Sequence, residues 1–202
     1  LLLVILVLTL FLRPSLALLV AMGIPVSFAG AIALMPYTGI SINMISLFAF
    51  ILVLGIVVDD AIVVGESIHH HREDLGFEAQ EAAIVGASAV ARPVIFAVLT
   101  TVVAFAPWAF LSGPQSEFLR HLSAVIAFAL AFSLIEAFCI LPAHLRHLPA
   151  RTDETRGFAL QRRIADGIMT FAEKAYAPLL AKALELRYTL SAVFLAGFVI
   201  AP

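Results

Sequence analysis

Charged residues are scarce in this chain. Asp, Glu, Lys and Arg make up 13% of it, against 62% hydrophobic residues, whereas soluble domains run near about 25% charged and 45–50% apolar. A soluble domain of this size has no room to bury so much apolar surface, which excludes that class and leaves a polytopic helical membrane protein. Cysteine is almost absent. The single Cys139 lies in an apolar run, so there is no disulfide framework, and the residue reads as a small core side chain. No Gly-rich loop of the kind that cradles phosphate occurs, so no nucleotide site is visible, and the energy source is expected to be something other than ATP. No basic patch interleaved with aromatics points to nucleic acid. Lys and Arg are missing from the interior of every apolar run except for Arg120, near one end of its run.

Six apolar segments are present. The expected spans are about 1–12, 15–35, 42–65, 93–111 and 118–141, and a further one begins at 188. The first starts LLLVILVLTLFLRP and the last ends FLAGFVIAP, so both look cut through a membrane helix. No basic region precedes the opening run and no small-residue cleavage site follows it, which argues against a signal peptide. Gly23, Pro25 and Gly30 fall inside the second segment and predict a kink. The stretch after Gly76, EAQEAAIVGASAVA, predicts a short helix ahead of the fourth span. Residues 149–187 form a polar linker. Within it Leu160, Ile164, Ile168, Phe171, Ala175, Leu179, Ala183 and Leu186 recur at spacings of three and four. That predicts an amphipathic helix over about 158–186, interrupted near Pro178 and suited to the membrane surface. A helix packed on soluble protein is the alternative.

Basic residues set the orientation. If consecutive spans alternate, one side receives Arg13, Arg72, Arg92, Arg146, Arg151, Arg156, Arg162, Arg163, Lys174, Lys182 and Arg187, and the other only Arg120. The first side is therefore expected to be cytoplasmic.

The third segment, INMISLFAFILVLGIVVDDAIVVG, carries Asp59 and Asp60 side by side. An ionised carboxylate at the centre of a membrane helix costs about 2.5–3.5 kcal/mol on insertion scales. No cation nearby in sequence offsets that cost. The expected use of such a pair is to bind and release protons, and two adjacent carboxyls titrate as a coupled unit. Successive helical residues point about 100° apart, so the two acids have different surroundings. Counting inward from the expected span ends puts Asp59, Asp60, Glu136, Thr100 and Thr101 about 9–12 Å inside the cytoplasmic boundary. Three helices thus offer one candidate polar layer facing the bundle interior or a hydrated cavity. Simpler roles compete: a structural hydrogen-bonded cluster, or a short stretch that is not membrane, for the acid pair; back-bonding to the preceding turn for the threonines; and helix-capping contacts or interfacial placement for Glu136.

Other signals are weaker. His69, His70 and His71 are consecutive, so they diverge on a helix and do not match the i, i+4 spacing of a zinc site. His144 and His147 share a face without an acid or Cys partner in sequence. Both groups read as solvated membrane edges, and neither a metal nor a cofactor is expected. An intramembrane aspartyl protease would need two acids facing each other across the scissile bond, which neighbours on one helix cannot do.

The motifs GIVVDDAIVVGESI (Gly55–Ile68), GFEAQEAAIVGASAVARPVIFAVLTTVVAFAPWAFLSG (Gly76–Gly113) and the closing LPAHL (Leu141–Leu145) resemble the inner-membrane transporters of the resistance-nodulation-division (RND) superfamily, particularly the hydrophobe/amphiphile multidrug pumps. The resemblance covers about residues 1–148. It implies a protomer of twelve membrane helices in two similar halves, of which this chain is the second through sixth helices, the surface helix and the start of the seventh. The paired aspartates of that family match Asp59 and Asp60 and carry proton relay, with their Lys, Arg and Thr partners in the other half. It further implies a homotrimer in the bacterial inner membrane, a periplasmic adaptor and an outer-membrane channel. Two departures stand out: Glu66-Ser67 replaces the usual Glu-Asn, and Glu136 has no counterpart in the most familiar drug pumps. Heavy-metal exporters of the superfamily usually have Asp-Ala where this chain has Asp-Asp, which favours organic substrates.

The expectation is therefore an all-α polytopic membrane protein: half of an RND-type transmembrane bundle plus one amphipathic surface helix. It serves proton-coupled export of small amphiphilic molecules and is a secondary transporter rather than an enzyme. Its partners are lipid and the missing second half. A related superfamily machine for lipid export, metal export or protein translocation is the nearest alternative, and a non-transporting scaffold is another.

Overall fold

In the computed structural model, every regular element among the described residues is helical. The structure describes residues 5–6, 8–9, 14–113, 116–147, 163 and 167–200. Most of the expected first span, and residues 148–162 and 164–166 of the linker, lie outside the described residues. The chain divides into two compact units, Leu1–Arg151 and Thr152–Pro202.

Among the described residues, the first unit holds four long apolar helical stretches. Helix α1 spans Pro14–Leu34 and continues into a 3-10 turn, Met35–Thr38. Gly39 ends it in the left-handed conformation at φ 71°, from which its N–H reaches the carbonyls of Met35 and Pro36. Helix α2 spans Met44–Glu73 and opens on a capping box. Asn43 Oδ1 accepts from the N–H groups of Ile45 and Ser46, at 2.9 and 3.1 Å, while Ser46 Oγ accepts from Asn43 N–H at 2.8 Å. The turn after Glu73 passes through Gly76 at φ 73°. Helix α3 spans Ala79–Ala109 with Pro93 and Pro107 inside it. Helix α4 spans Ser116–Ile135, followed without a break by a π-helical turn, Glu136–Ile140, and α5, Leu141–Leu145. All four stretches are long and apolar enough to cross a membrane.

The helices outrun the expected spans at one end. Helix α2 continues eight residues past Gly65, and the expected short helix after Gly76 is no separate element: it is the first part of α3, unbroken through Arg92-Pro93. Both extensions pack together. Ser67 Oγ donates to Gly86 O at 2.8 Å, and a Cβ on Gly86 would lie 2.6 Å from the Ile68 Cα. Only glycine permits so close a backbone approach.

Two apolar clusters fill the bundle. One joins Leu16, Val20, Ile24, Val58, Ala61, Val64, Val94 and Leu141. The other joins Ala31, Phe50, Val53, Val57, Val98, Ile126 and Leu130. Cys139, expected in the core, is exposed on the outer surface. The apolar composition of its neighbourhood could not tell an inward position from an outward one on a membrane helix.

In the second unit, residues 167–171 are helical. A π-helical turn follows at Ala172–Tyr176, then α6, Ala177–Glu185, and α7, Arg187–Ile200. The break between α6 and α7 falls at Leu186, near the expected end of the amphipathic helix.

Candidate functional site

The relative heights of the helices follow from their closest contacts. A Cβ on Gly65 of α2 would meet Leu16 at 3.2 Å and Val20 at 3.4 Å, both on α1, and Leu141 at 3.7 Å on α5. These residues share one level. Five residues back along the chain from Gly65 and from Leu141, about 7.5 Å at 1.5 Å per residue, stand Asp60 and Glu136. The same rise from Val20 along α1 reaches Pro25, between Gly23 and Ser27. Asp60, Glu136 and the Gly23–Ser27 turn are therefore level with one another.

The surroundings of the two aspartates differ sharply. Asp60 is 6% exposed and points into the bundle, whereas Asp59 is exposed on the adjoining face of α2. Gly55, one turn above Asp59, is likewise open, with nothing within 4 Å of where a Cβ would stand. Inside, the Ser133 hydroxyl of α4 lies beside the Asp60 carboxyl. Neither Ser133 Oγ nor Asp60 Oδ2 completes a hydrogen bond.

Glu136 is 2% exposed. Its carboxyl rests over Gly23 of α1, where a Cβ would lie 2.6 Å from the carboxyl carbon. The π-helical turn that begins at Glu136 has a local cause. Pro142 has no N–H, and its ring would clash with the Phe138 carbonyl in a regular helix. The backbone widens ahead of it, and Leu141 N–H bonds Glu136 O instead. Glu136 Oε2 and the hydroxyl of Ser27 also have no hydrogen-bond partner. Leaving a buried polar group unpaired costs about 1–3 kcal/mol, more if it is charged. Among the described residues, no Lys or Arg forms an ion pair with Asp60 or Glu136.

Thr100 and Thr101 are not at this level. From the Ser67–Gly86 hydrogen bond, seven residues back along α2 reach Asp60, and seven forward along α3 reach Pro93. From the Ser123 Oγ bond to Phe105 O, 2.9 Å, thirteen residues along α4 reach Glu136 and thirteen back along α3 reach Arg92. The two counts agree. The threonines lie about 10–12 Å beyond the acids. Both hydroxyls donate to Ala97 O, at 2.8 and 3.0 Å, the back-bonding that competed with a functional role. The expected depth counts from Pro93, but α3 starts at Ala79, so Pro93 is itself at the acid level. Arg92 shares that level on the exposed side of α3.

The histidines make local contacts. His70 Nδ1 lies 2.6 Å from Asp74 Oδ2, and His71 Nδ1 lies 2.7 Å from Ser67 O. His144 and His147 contact the carbonyls of Ile140 and Ala143, each at 2.9 Å. Among the described residues no cluster of His, Cys, Asp and Glu has the arrangement to hold a metal ion.

Ser27 and Ser133 escaped the sequence reading. Ser133 stands three residues before Glu136 and Ser27 four after Gly23. Those spacings put each pair on one helix face. A search for small polar residues one turn from an intramembrane acid would have found Ser133.

Comparison with known proteins shows the family. The model of a family described as AcrB/AcrD/AcrF matches residues 1–201. The chain is 39% identical over 141 residues to proteins named multidrug resistance protein MdtC from Salmonella paratyphi B, Salmonella newport and Salmonella enteritidis. Each match covers 69% of this chain and 14% of the relative, so the chain spans about a seventh of the length of these proteins.

Proposed function

This chain belongs to the AcrB/AcrD/AcrF family of RND transporters, and on that premise we propose that it supplies half of the proton-relay membrane domain of a multidrug exporter. The cargo is small amphiphilic molecules, and the driving reaction is proton antiport. The observation that carries this proposal is the placement of the aspartates: Asp60 buried without a cation, Asp59 open on the next face of the same helix.

The open face of α2 around Gly55 and Asp59 is where the second half of the transporter brings its basic partner. A cation beside the pair favours the charged form, and its withdrawal favours protonation. Protons enter from the periplasm, load the pair and leave to the cytoplasm, and each charge moved gains about 2.3 kcal/mol per 100 mV of membrane potential. Protonation changes how α2 packs against the other half, and that shift drives alternating states of the cargo-handling domains. The full transporter sits in the bacterial inner membrane as a homotrimer, with a periplasmic adaptor and an outer-membrane channel, as the resemblance implies.

The test is made in the full-length transporter. Asp59→Asn together with Asp60→Asn is expected to reduce export to that of cells lacking the pump, with membrane insertion and abundance intact. Undiminished export by the double variant would refute the relay.

A further inference from the structure

The Asp pair accounts for one of the two buried acids in the bundle; Glu136 remains. Among the described residues, four buried side-chain oxygens have no hydrogen-bond partner: Ser27 Oγ, Asp60 Oδ2, Ser133 Oγ and Glu136 Oε2. Their positions coincide with the seam between the two apolar clusters. On α1, Ser27 lies between Ile24 of one cluster and Ala31 of the other. On α4, Ser133 lies between Leu130 and the Glu136-Ala137 step, and on α2, Asp60 follows Val57 and Val58. Three helices break their apolar packing at one height; across the helices, the Glu136 carboxyl meets Gly23 and the Ser133 hydroxyl lies beside Asp60.

We propose that Glu136 is a second proton-holding site, internal to this half of the bundle, which exchanges its proton with Asp60 through the Ser133 hydroxyl. The inference rests on the relay proposed above and adds a residue to it. In the transfer, Glu136 Oε2–H donates to Ser133 Oγ while Ser133 Oγ–H donates to the Asp60 carboxylate. Glu136 is left as the carboxylate, Asp60 takes up the proton, and the serine is unchanged. Ser133 lies beside the Asp60 carboxyl and three residues before Glu136 on the same helix face. Neither Ser133 Oγ nor Glu136 Oε2 is hydrogen-bonded in this structure, so the transfer requires the Glu136 side chain to turn from Gly23 toward the serine. Gly23 makes room for the Glu136 carboxyl.

The charges around Glu136 are few. Helix α1 contributes no titratable group, and α2 contributes Asp59, Asp60 and, toward its end, Glu66. Helix α3 contributes Arg92, which is exposed and unpaired with either buried acid. The nearest titratable group on α5 is His144, held against Ile140 O. Among the described residues no Lys or Arg pairs with Glu136, and burying an unpaired charge is costly.

The experiment uses the purified full-length transporter in lipid vesicles with dicyclohexylcarbodiimide, which modifies protonated carboxyls in apolar surroundings. Peptide mass spectrometry is expected to find modified Glu136 in the unaltered protein, declining as pH rises and indifferent to sodium at fixed pH. In Glu136→Gln and Ser133→Ala the pH profile of export is expected to shift, and Glu136→Asp to restore part of it. An unmodified Glu136 at every pH overturns the proposal, as does protection of Glu136 by sodium, which would make the cluster a metal-cation site. Labelling of the unaltered protein tests proton holding at Glu136 even where a variant fails to insert, and unchanged export profiles in both Glu136→Gln and Ser133→Ala overturn the exchange with Asp60. The relay fails on a different result, export that survives neutralisation of Asp59 and Asp60, and labelling of Glu136 does not depend on that outcome.

Discussion

Two adjacent carboxyls can serve as one device because the helix separates them. A rotation of about 100° sends Asp60 into the bundle and leaves Asp59 on the face that the other half of the transporter is proposed to cover. The interior position opposes stability. Asp60 leaves an oxygen unpaired, so an apolar residue of similar size removes a cost of about 1–3 kcal/mol. Asp60→Val is therefore expected to resist unfolding by denaturing detergent better than the unaltered protein while exporting nothing. Asp59→Val, on the open face, is expected to change stability little in this half. A destabilised Asp60→Val protein would mean that the carboxyl has a partner that the second half supplies. Proteins keep such unfavourable groups where function requires them.

Helix joints set where these side chains arrive. Both π-helical turns among the described residues end two residues before a proline, Pro142 and Pro178. The common cause is a missing donor and a bulky ring. The first of these turns carries Glu136 at its start. Between α2 and α3 the fit depends on Gly86, whose hypothetical Cβ meets main-chain atoms of Ile68 with no flexible end to give way. Gly86→Ala is expected to destabilise the bundle by about 1–3 kcal/mol through overpacking. Gly23→Ala meets the end of a Glu side chain that can swing aside, so it is expected to cost less. Detergent unfolding midpoints compare the two, and equal losses would show that Gly86 does not hold the α2–α3 contact.

At the scale of the whole molecule, the long helices alternate in direction, so their connections fall on two sides. With Cys139 replaced by Ala, a cysteine at Ser41 or Ser112 is expected to react with an impermeant thiol reagent added from the periplasmic side. A cysteine at Leu75 is expected to react only from the cytoplasmic side. Reaction of all three from one side would overturn the topology.

Much of this was legible in the residues. The excess of apolar runs determined a helical membrane protein, because only helices satisfy their own backbone within a single apolar segment. The paired acids announced themselves by their cost. Membership of the family was carried by the double-Asp segment and by the motifs around it. Hydropathy, however, measures how apolar a stretch is and not which way a side chain points. Cys139 lies in an apolar run and yet faces outward. Arg92-Pro93 marks the expected start of a span but lies mid-helix, which displaces Thr100 and Thr101 from the expected level by about 10–12 Å. Ser27 and Ser133 are too mild in composition to be noticed. The tertiary structure alone decided that Asp60, Ser133, Glu136 and Ser27 stand at one height in a seam between two apolar clusters. That height depends on how one helix slides against the next, and close contacts at Gly65 and Gly86 fix it, between residues far apart in the chain.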